Sequence, residues 1–328
     1  MRPDISVVIP TYNRRSMVQE AIESCFAGND EIDVEVVVVD DGSTDGTRDY
    51  LESIEDERVR PLFQEHQGAQ VARNRGQHEA RGRAIKHLDD DDYLVSGELV
   101  REFRQLRRTG ADVVYGDFYK VDTRLNKDPW VYQNADHQEV DGDFFTALVS
   151  GAVNRLQLAI LFDRVAIAGV AWDESLDYLQ DVNFMLRAAT QGLTCVKLDR
   201  VVAVHRMHDG ERISDVRQAA ATTKRLAMQA EWYNQAFETL MELGKMTLAR
   251  RAATARGLWQ LGHMLAPYDW GRGHRWLRRA IEIDDSLVPS RESRMLSSLD
   301  SILSPLTTEV LTTPFRKVRL HVAYHLNK

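Results

Sequence analysis

The chain has 328 residues, enough to bury one large core or two smaller ones, and its 43% hydrophobic and 28% charged residues are the balance of an ordinary folded protein. No stretch approaches the roughly 20 apolar residues of a membrane-spanning helix. Met1–Pro10 reads as a buried first strand rather than a secretory leader, and two cysteines, Cys25 and Cys195, are too few for a disulfide framework or a zinc site, which fits a reducing cytoplasm. The net charge of −8 is unevenly spread: residues 245–328 carry 14 Lys/Arg against 7 Asp/Glu, and the remainder 28 against 43. An acidic body argues against nucleic acid as a partner; a basic tail suits an anionic lipid surface.

Residues 5 to about 120 alternate strand-like and helix-like segments, the pattern of a mostly parallel sheet. Ile5–Ile9 is a strand closed by Pro10. Ser16–Phe26 has helical spacing of Val18, Ile22, Cys25 and Phe26, with Ser16 as its expected cap. Val34–Val39, apolar but for Glu35, reads as a strand buried on both faces, and Ser43 or Thr44 is expected to cap a helix reaching Ile54. Val59–Phe63 is a short strand whose Pro61 suits a sheet edge. A helix over 68–79, a strand over 84–88, a helix over 98–108 and a strand over 112–115 follow. Further on, 118–121 and 130–133 suit a hairpin, 181–190 a helix and 196–204 a strand. Beyond Ser214 the chain is mostly helical, over 216–243, 246–265, 272–283 and 291–303, broken at Gly244, Pro267 and Pro289. Residues 251–289 read as one antiparallel helix pair and not as a repeat array. The expected division is 1–214 and 215–328.

Two acidic clusters stand out, each just after an apolar strand: Val39-Asp40-Asp41-Gly42-Ser43 and Leu88-Asp89-Asp90-Asp91-Asp92. Four adjacent carboxylates repel one another when packed dry, and a divalent cation bridging to a phosphorylated ligand removes that cost. Ligands of open α/β sheets sit beyond the carboxyl ends of the strands, so the clusters read as a site for a metal and a nucleotide.

Val8-Ile9-Pro10-Thr11-Tyr12-Asn13, Val39 to Asp45, Gly68-Ala69-Gln70-Val71-Ala72-Arg73-Asn74-Arg75-Gly76 and Leu88 to Asp92, in that order and spacing, resemble the family 2 glycosyltransferases over roughly residues 5–210. The resemblance implies a GT-A fold, a Rossmann-like mixed α/β sheet flanked by helices. It also implies transfer of one sugar, with inversion, from a nucleotide-diphosphate donor. Pro10, Thr11 and Tyr12 follow the first strand, where an aromatic ring can stack on a base. Asp40 can accept a hydrogen bond from a uracil or thymine imide, which favours a UDP-sugar. Asp89 and Asp91 match the family's Asp-x-Asp motif. It contacts the ribose and a Mg²⁺ or Mn²⁺ on the diphosphate, with Asp91 as the direct ligand and Asp92 as a helper. Asp90, where a small residue is more usual, is grouped with the nucleotide contacts and expected to point at solvent. Arg73 is expected to pair with the diphosphate or with Asp40.

The family's acidic pair at the start of a later helix is here Gln180-Asp181, and Gln180, neither acid nor base, is expected to hydrogen-bond the acceptor. An inverting transfer needs one carboxylate at the acceptor hydroxyl, so Asp181, held ionised by the helix dipole, is the implied general base, with Asp177 in reserve. His208 matches a position that can face the metal, and Arg206 and Arg212 can neutralise phosphate. The basic stretch 314–325 is amphipathic and suits peripheral contact with a membrane carrying a lipid-linked saccharide acceptor, and the helical region suits packing against a second copy of the chain. The Gln-x-x-Arg-Trp pattern of processive synthases is absent, as is a Gly-x-Gly-x-x-Gly turn after the first strand. Two rivals stand beside this reading. One is a nucleotidyltransferase, although Pro10–Arg15 lacks its Gly-rich loop. The other is a non-catalytic sugar-nucleotide- or partner-binding module, for which Gln180 in place of an acid speaks.

Overall fold

The structure, a computed structural model, describes residues 2–122, 130–132, 142–153, 156–207 and 219–287. The chain divides into two compact units, Met1–Arg212 and Ile213–Lys328.

The first unit is one mixed sheet flanked by helices. Its strands are β1 (Ile5–Thr11), β2 (Val34–Asp40), β3 (Val59–Phe63), β4 (Ala84–His87), β5 (Tyr93–Leu94), β6 (Val113–Asp122), β7 (Trp130–Tyr132), β8 (Ile160–Asp163) and β9 (Cys195–Met207). The order is β3-β2-β1-β4-β8-β6-β9-β5, with β7 paired to β6. The four strands β3, β2, β1 and β4 run parallel, and β1 and β2 are buried along their whole length, which is why both read as largely apolar runs, interrupted by the buried Ser6 and Glu35. Pro61 lies on the edge strand, where a missing N–H does least harm. The far half is not parallel: β8 runs antiparallel to β4 and β6, while β6 and β9 are parallel. The expected hairpin exists as β6 with β7, but 118–121 is the end of one ten-residue strand.

Helices α1 (Arg15–Phe26), α2 (Thr47–Glu52), α3 (Ala69–Glu79), α4 (Glu98–Thr109), α5 (Phe144–Ser150) and α6 (Gln180–Ala189) cover the sheet. Neither expected serine or threonine cap forms. Arg14 precedes α1 and Gly46 precedes α2 in the left-handed region, while Asp45 accepts from the Thr47 N–H at 3.0 Å. α3 lies unusually close to the sheet, because a Cβ on Gly76 would stand 2.5 Å from Val8 Cγ1. Under α4, Lys86 and Glu102, both fully buried, form a 2.6 Å ion pair. Cys25 and Cys195 are free and buried.

The second unit contains α7 (Ala219–Glu242), α8 (Leu248–Leu265) and α9 (Trp270–Ile283). Thr247 caps α8 and Asp269 caps α9 through their side chains. Leu258, Leu265, Leu277 and Ala280 are fully buried, and α8 and α9 approach so closely that a Cβ on Gly273 would stand 2.5 Å from Ala266 Cα. None of the described helices is long and apolar enough to cross a membrane. The expected helix over 291–303 and the basic stretch 314–325 lie outside the described residues.

Candidate active site

Because β1, β2 and β4 are parallel and in register, their carboxyl ends bring Thr11, Asp40 and the segment after His87 to one edge of the sheet. The loop after β1 is fastened to the loop after β2. Asn13, at a φ of +52°, receives the Thr44 N–H on its side-chain oxygen at 2.7 Å, and its own N–H donates to Ser43 Oγ at 2.8 Å. Tyr12 is left 42% exposed and stacks on His66, with ring centroids 4.2 Å apart. Asp40 is buried and accepts from the Ser43 N–H at 3.1 Å. Asp41 is the organiser of the loop before α3. Its carboxylate accepts from the backbone N–H groups of Gln67 (2.9 Å) and Gly68 (2.8 Å) and from the Gln64 amide (2.8 Å), and lies 3.0 Å from the His66 ring nitrogen.

The segment after β4 is denser in charge. Asp89, Asp91 and Asp92 each place a carboxylate oxygen within 4.8 Å of the others. Hard oxygen donors at that spacing fit a divalent cation of the Mg²⁺ or Mn²⁺ type. Basic side chains from distant elements meet the cluster. Arg14 lies 2.6 Å from Asp91 and 3.4 Å from Asp90; Arg73 lies 2.6 Å from Asp89; the His205 ring nitrogen lies 3.2 Å from both Asp92 oxygens. Gln157 also donates to Asp89, at 2.9 Å. Burial raises the Asp90 carboxyl to about 7, against the pull of Arg14 and with the push of Asp91. Asp92 is raised for the same reason, offset by His205. Arg14 is raised despite its burial, because Asp90 and Asp91 favour the cation.

Arg73 links this cluster to α6. Its other terminal nitrogen donates to Gln180 Oε1 at 3.0 Å, and the guanidinium sits 4.7 Å from the Trp172 ring centre. Leu179, at a φ of +57°, turns the chain into α6, a conformation a branched residue adopts only at a cost. Asp181 then falls in the first turn. Burial pushes its carboxyl up to about 6, opposed by the Val182 N–H at 2.9 Å and by Arg73 and reinforced by Asp89. Beneath lies His87, fully buried edge-on to Trp172 and Phe184, with no partner for either ring nitrogen among the described residues. Burial first, and Arg73 second, lower it to about 3, so it is a neutral imidazole.

The structure brings Thr11, Asp89, Asp90 and Asp91 into one hydrogen-bonded and ion-paired cluster, with Pro10 buried in β1 behind them, and links Arg73 to it. Tyr12 and Asp40 lie at the adjoining strand ends. Five details differ from expectation. Asp90 does not face solvent: it is 7% exposed and accepts from Thr11 Oγ1 at 2.7 Å. Arg73 pairs with Asp89, not with Asp40. The helix dipole does not hold Asp181 ionised against burial, since its carboxyl is raised. Gln180 is not open to an acceptor, because Arg73 and the backbone carbonyls of Leu176 and Asp177 engage it. Arg206 is engaged behind the acidic loop, where its side chain donates to the Asp91 carbonyl at 2.5 Å and pairs with Glu20, while its N–H donates to Asp92 at 2.9 Å. Asp177 is exposed next to α6, and His208 and Arg212 lie outside the described residues. Sequence reasoning missed Arg14, His66, Gln157 and His205, and the part Asp41 plays in holding the loop before α3. Asn13-Arg14 directly after the first motif was the one local signal; the others meet the site only through the fold.

Residues 6–157 match the family model described as Glycosyl transferase family 2. Over that stretch the chain is similar to that family. Its first unit has the GT-A fold: the structure of S. aureus TarS with UDP-GlcNAc aligns with a TM-score of 0.57 and 17% identity over 93% of this chain and 90% of that one. Mannosyltransferase PcManGT from Pyrobaculum calidifontis, in complex with GDP-Man and Mn²⁺, aligns at 0.55 and 18% over 97% and 88%. In sequence, GalNAc(5)-diNAcBac-PP-undecaprenol beta-1,3-glucosyltransferase of Campylobacter jejuni is 36% identical over 130 residues, 38% of this chain and 42% of that protein. The chain spans about two fifths of the length of the first curated relatives it matches.

Proposed function

We propose that this protein is a glycosyltransferase that moves one sugar from a nucleotide-diphosphate donor, a UDP-sugar, to a hydroxyl of a saccharide or lipid-linked acceptor, with inversion. One observation carries the reading. A carboxylate cluster with the spacing of a cation site lies across Arg73 from a partly exposed acid, Asp181, whose carboxyl is raised to about 6. A general base works best with a pKa near the working pH.

In this reading Tyr12 and Asp40 take the base, and Asp89 takes the ribose. Asp91, with Asp89 or Asp92 beside it, holds Mg²⁺ or Mn²⁺. The cation, when bound, supplies Lewis-acid neutralisation of the diphosphate. Arg14, now on Asp91, would turn to the diphosphate were a cation to take that carboxylate. Asp181 accepts the acceptor's hydroxyl proton as its oxygen attacks the anomeric carbon and the bond to the diphosphate oxygen breaks. Arg73 and Gln180 keep the carboxylates on either side in place. The Campylobacter relative's diphospho-undecaprenol acceptor supports a lipid-linked substrate, and with it a place at the inner face of a membrane. The catalytic domain in this reading is 1–214, and 215–328 serves acceptor, membrane or self-association.

Calorimetric titration of UDP, GDP, dTDP and CDP, each with Mn²⁺ and with EDTA, tests the donor site on the parent and on Asp91→Ala. Metal-dependent binding of UDP that disappears in Asp91→Ala supports the reading. Binding of no nucleotide, or binding indifferent to both metal and Asp91, overturns it.

A further inference from the structure

The helical unit carries a charged cavity that the acidic site does not use. Along α9, Trp276, Leu277, Ala280 and Ile283 are buried, while Arg272, Arg275 and Arg278 are exposed. Spacing of three residues sets these cations side by side on one face, where like charges repel. Their compensation is uneven. Arg272 has Asp269 at 3.4 Å, Arg275 reaches Glu231 only at 3.9 Å, and Arg278 has no acid within ion-pair distance among the described residues. Arg279 is held by Asn234 at 2.8 Å and by Glu238.

Arg275, Arg278 and Arg279 line an open cavity of about 470 Å³, with His274 on the same wall and Glu282 as its one acid. The His274 ring centre lies 5.1 Å from that of Trp270, which is 41% exposed. Guanidinium forks suit carboxylate and phosphate oxygens. An exposed indole beside an imidazole offers a flat surface for the C–H face of a pyranose. A cavity of that size is far larger than a single inorganic anion requires, so its chemistry fits negative charge borne on a bulky, hydroxyl-rich body.

We propose that this cavity binds an anionic saccharide, a carboxylate- or phosphate-bearing stretch of the acceptor, so that the helical unit retains the chain that the catalytic unit extends. The acceptor role rests on the glycosyltransferase reading; the binding site does not.

The test uses the full chain in EDTA without donor, titrated with oligogalacturonate, phosphorylated dextran, neutral dextran and phosphatidylglycerol vesicles. The variants are Arg275→Gln/Arg278→Gln and, as a control, Arg256→Gln, an exposed position on α8 outside the cavity. At least one anionic oligosaccharide binds and the neutral one does not, and the one that binds names the acidic group. The double variant weakens binding by about tenfold or more, and the control leaves it unchanged. Equal binding by the double variant, equal binding of neutral dextran, or vesicle binding lost in the double variant with no oligosaccharide binding each overturns the proposal. Loss of nucleotide binding with oligosaccharide binding intact would count against the glycosyltransferase reading and leave the cavity standing.

Discussion

The acids after β2 and the acids after β4 occupy neighbouring strand ends of one sheet and are used in opposite ways. Asp41 is answered largely by its own surroundings: two backbone N–H groups and the side chains of Gln64 and His66 hold it, all from the short loop it organises. Asp89–Asp92 are crowded together and answered mainly by side chains from elsewhere, Arg14 of β1's loop, Arg73 of α3 and His205 of β9, with one backbone N–H, that of Arg206, on Asp92. Backbone donors fix an acid as part of the scaffold. Side-chain cations can swing away, so the carboxylates they hold are exchangeable, and repulsion is kept in reserve for a cation to relieve.

Breaking the second cluster at Asp91 has the largest expected effect. Asp91→Asn lowers sugar transfer by about 10³-fold or more, the rate equivalent of several kcal/mol of charge stabilisation. Donor binding loses its response to EDTA, while the melting temperature holds or rises because one repelling charge is gone. Transfer rates, titration and scanning calorimetry read the three effects; a large fall in melting temperature would make Asp91 scaffold like Asp41.

Asp181 shares the low-dielectric setting of the second cluster, and Asp181→Asn lowers turnover by about 10²- to 10⁴-fold with donor affinity kept. In the parent, turnover rises with pH through about 6 as the base ionises. Stability runs the other way. A carboxyl raised in the fold binds a proton that the unfolded chain has already released, so its contribution worsens from about pH 4 to 6 and stays unfavourable above. Asp181→Asn is therefore more stable than the parent at pH 8, by on the order of 1 kcal/mol, and not at pH 4. A variant less stable at pH 8 rules out the buried-base assignment.

The contrast between the clusters was only half legible in the sequence. Val34–Val39 and Ile5–Ile9 announce their strands because burial on both faces leaves them apolar but for Glu35 and Ser6, and an acid directly after such a run is at the ligand edge by construction. The antiparallel insertion of β8 between β4 and β6 has no local signature, since strand order is a long-range choice. For the same reason Arg73's choice of Asp89 over Asp40, and the meeting of Asp92 with His205, could not be read from spacing. The cap errors are local: Ser43 and Thr44 are drawn off to bond Asn13, and Gly46 makes the turn instead.

Asp41→Asn sharpens the comparison from the scaffold side. An amide keeps one acceptor oxygen and loses the charge-assisted bonds, so the loop 64–68 loosens and stability falls by about 1–3 kcal/mol. Denaturant unfolding measures it, and the donor KM rises while kcat changes little, because His66 and Tyr12 shift together.

Asp90→Asn carries the smallest expected effect. At a pKa of about 7 the Asp90 carboxyl is already half protonated at neutral pH, and an asparagine still accepts from the Thr11 hydroxyl. Removing the residual charge lessens the push on Asp91 and costs Arg14 its 3.4 Å pair with Asp90 while leaving the 2.6 Å pair with Asp91. Because the raised carboxyl is unfavourable only once ionised, the substitution gains up to about 1 kcal/mol at pH 8 and nothing at pH 5. Turnover at pH 6 stays within about twofold, below the 1.36 kcal/mol that separates tenfold rates. Melting curves at the two pH values decide the point. A loss at pH 5 as large as that of Asp41→Asn would mean that Asp90 braces its loop as Asp41 does, and that the two clusters differ in crowding but not in kind.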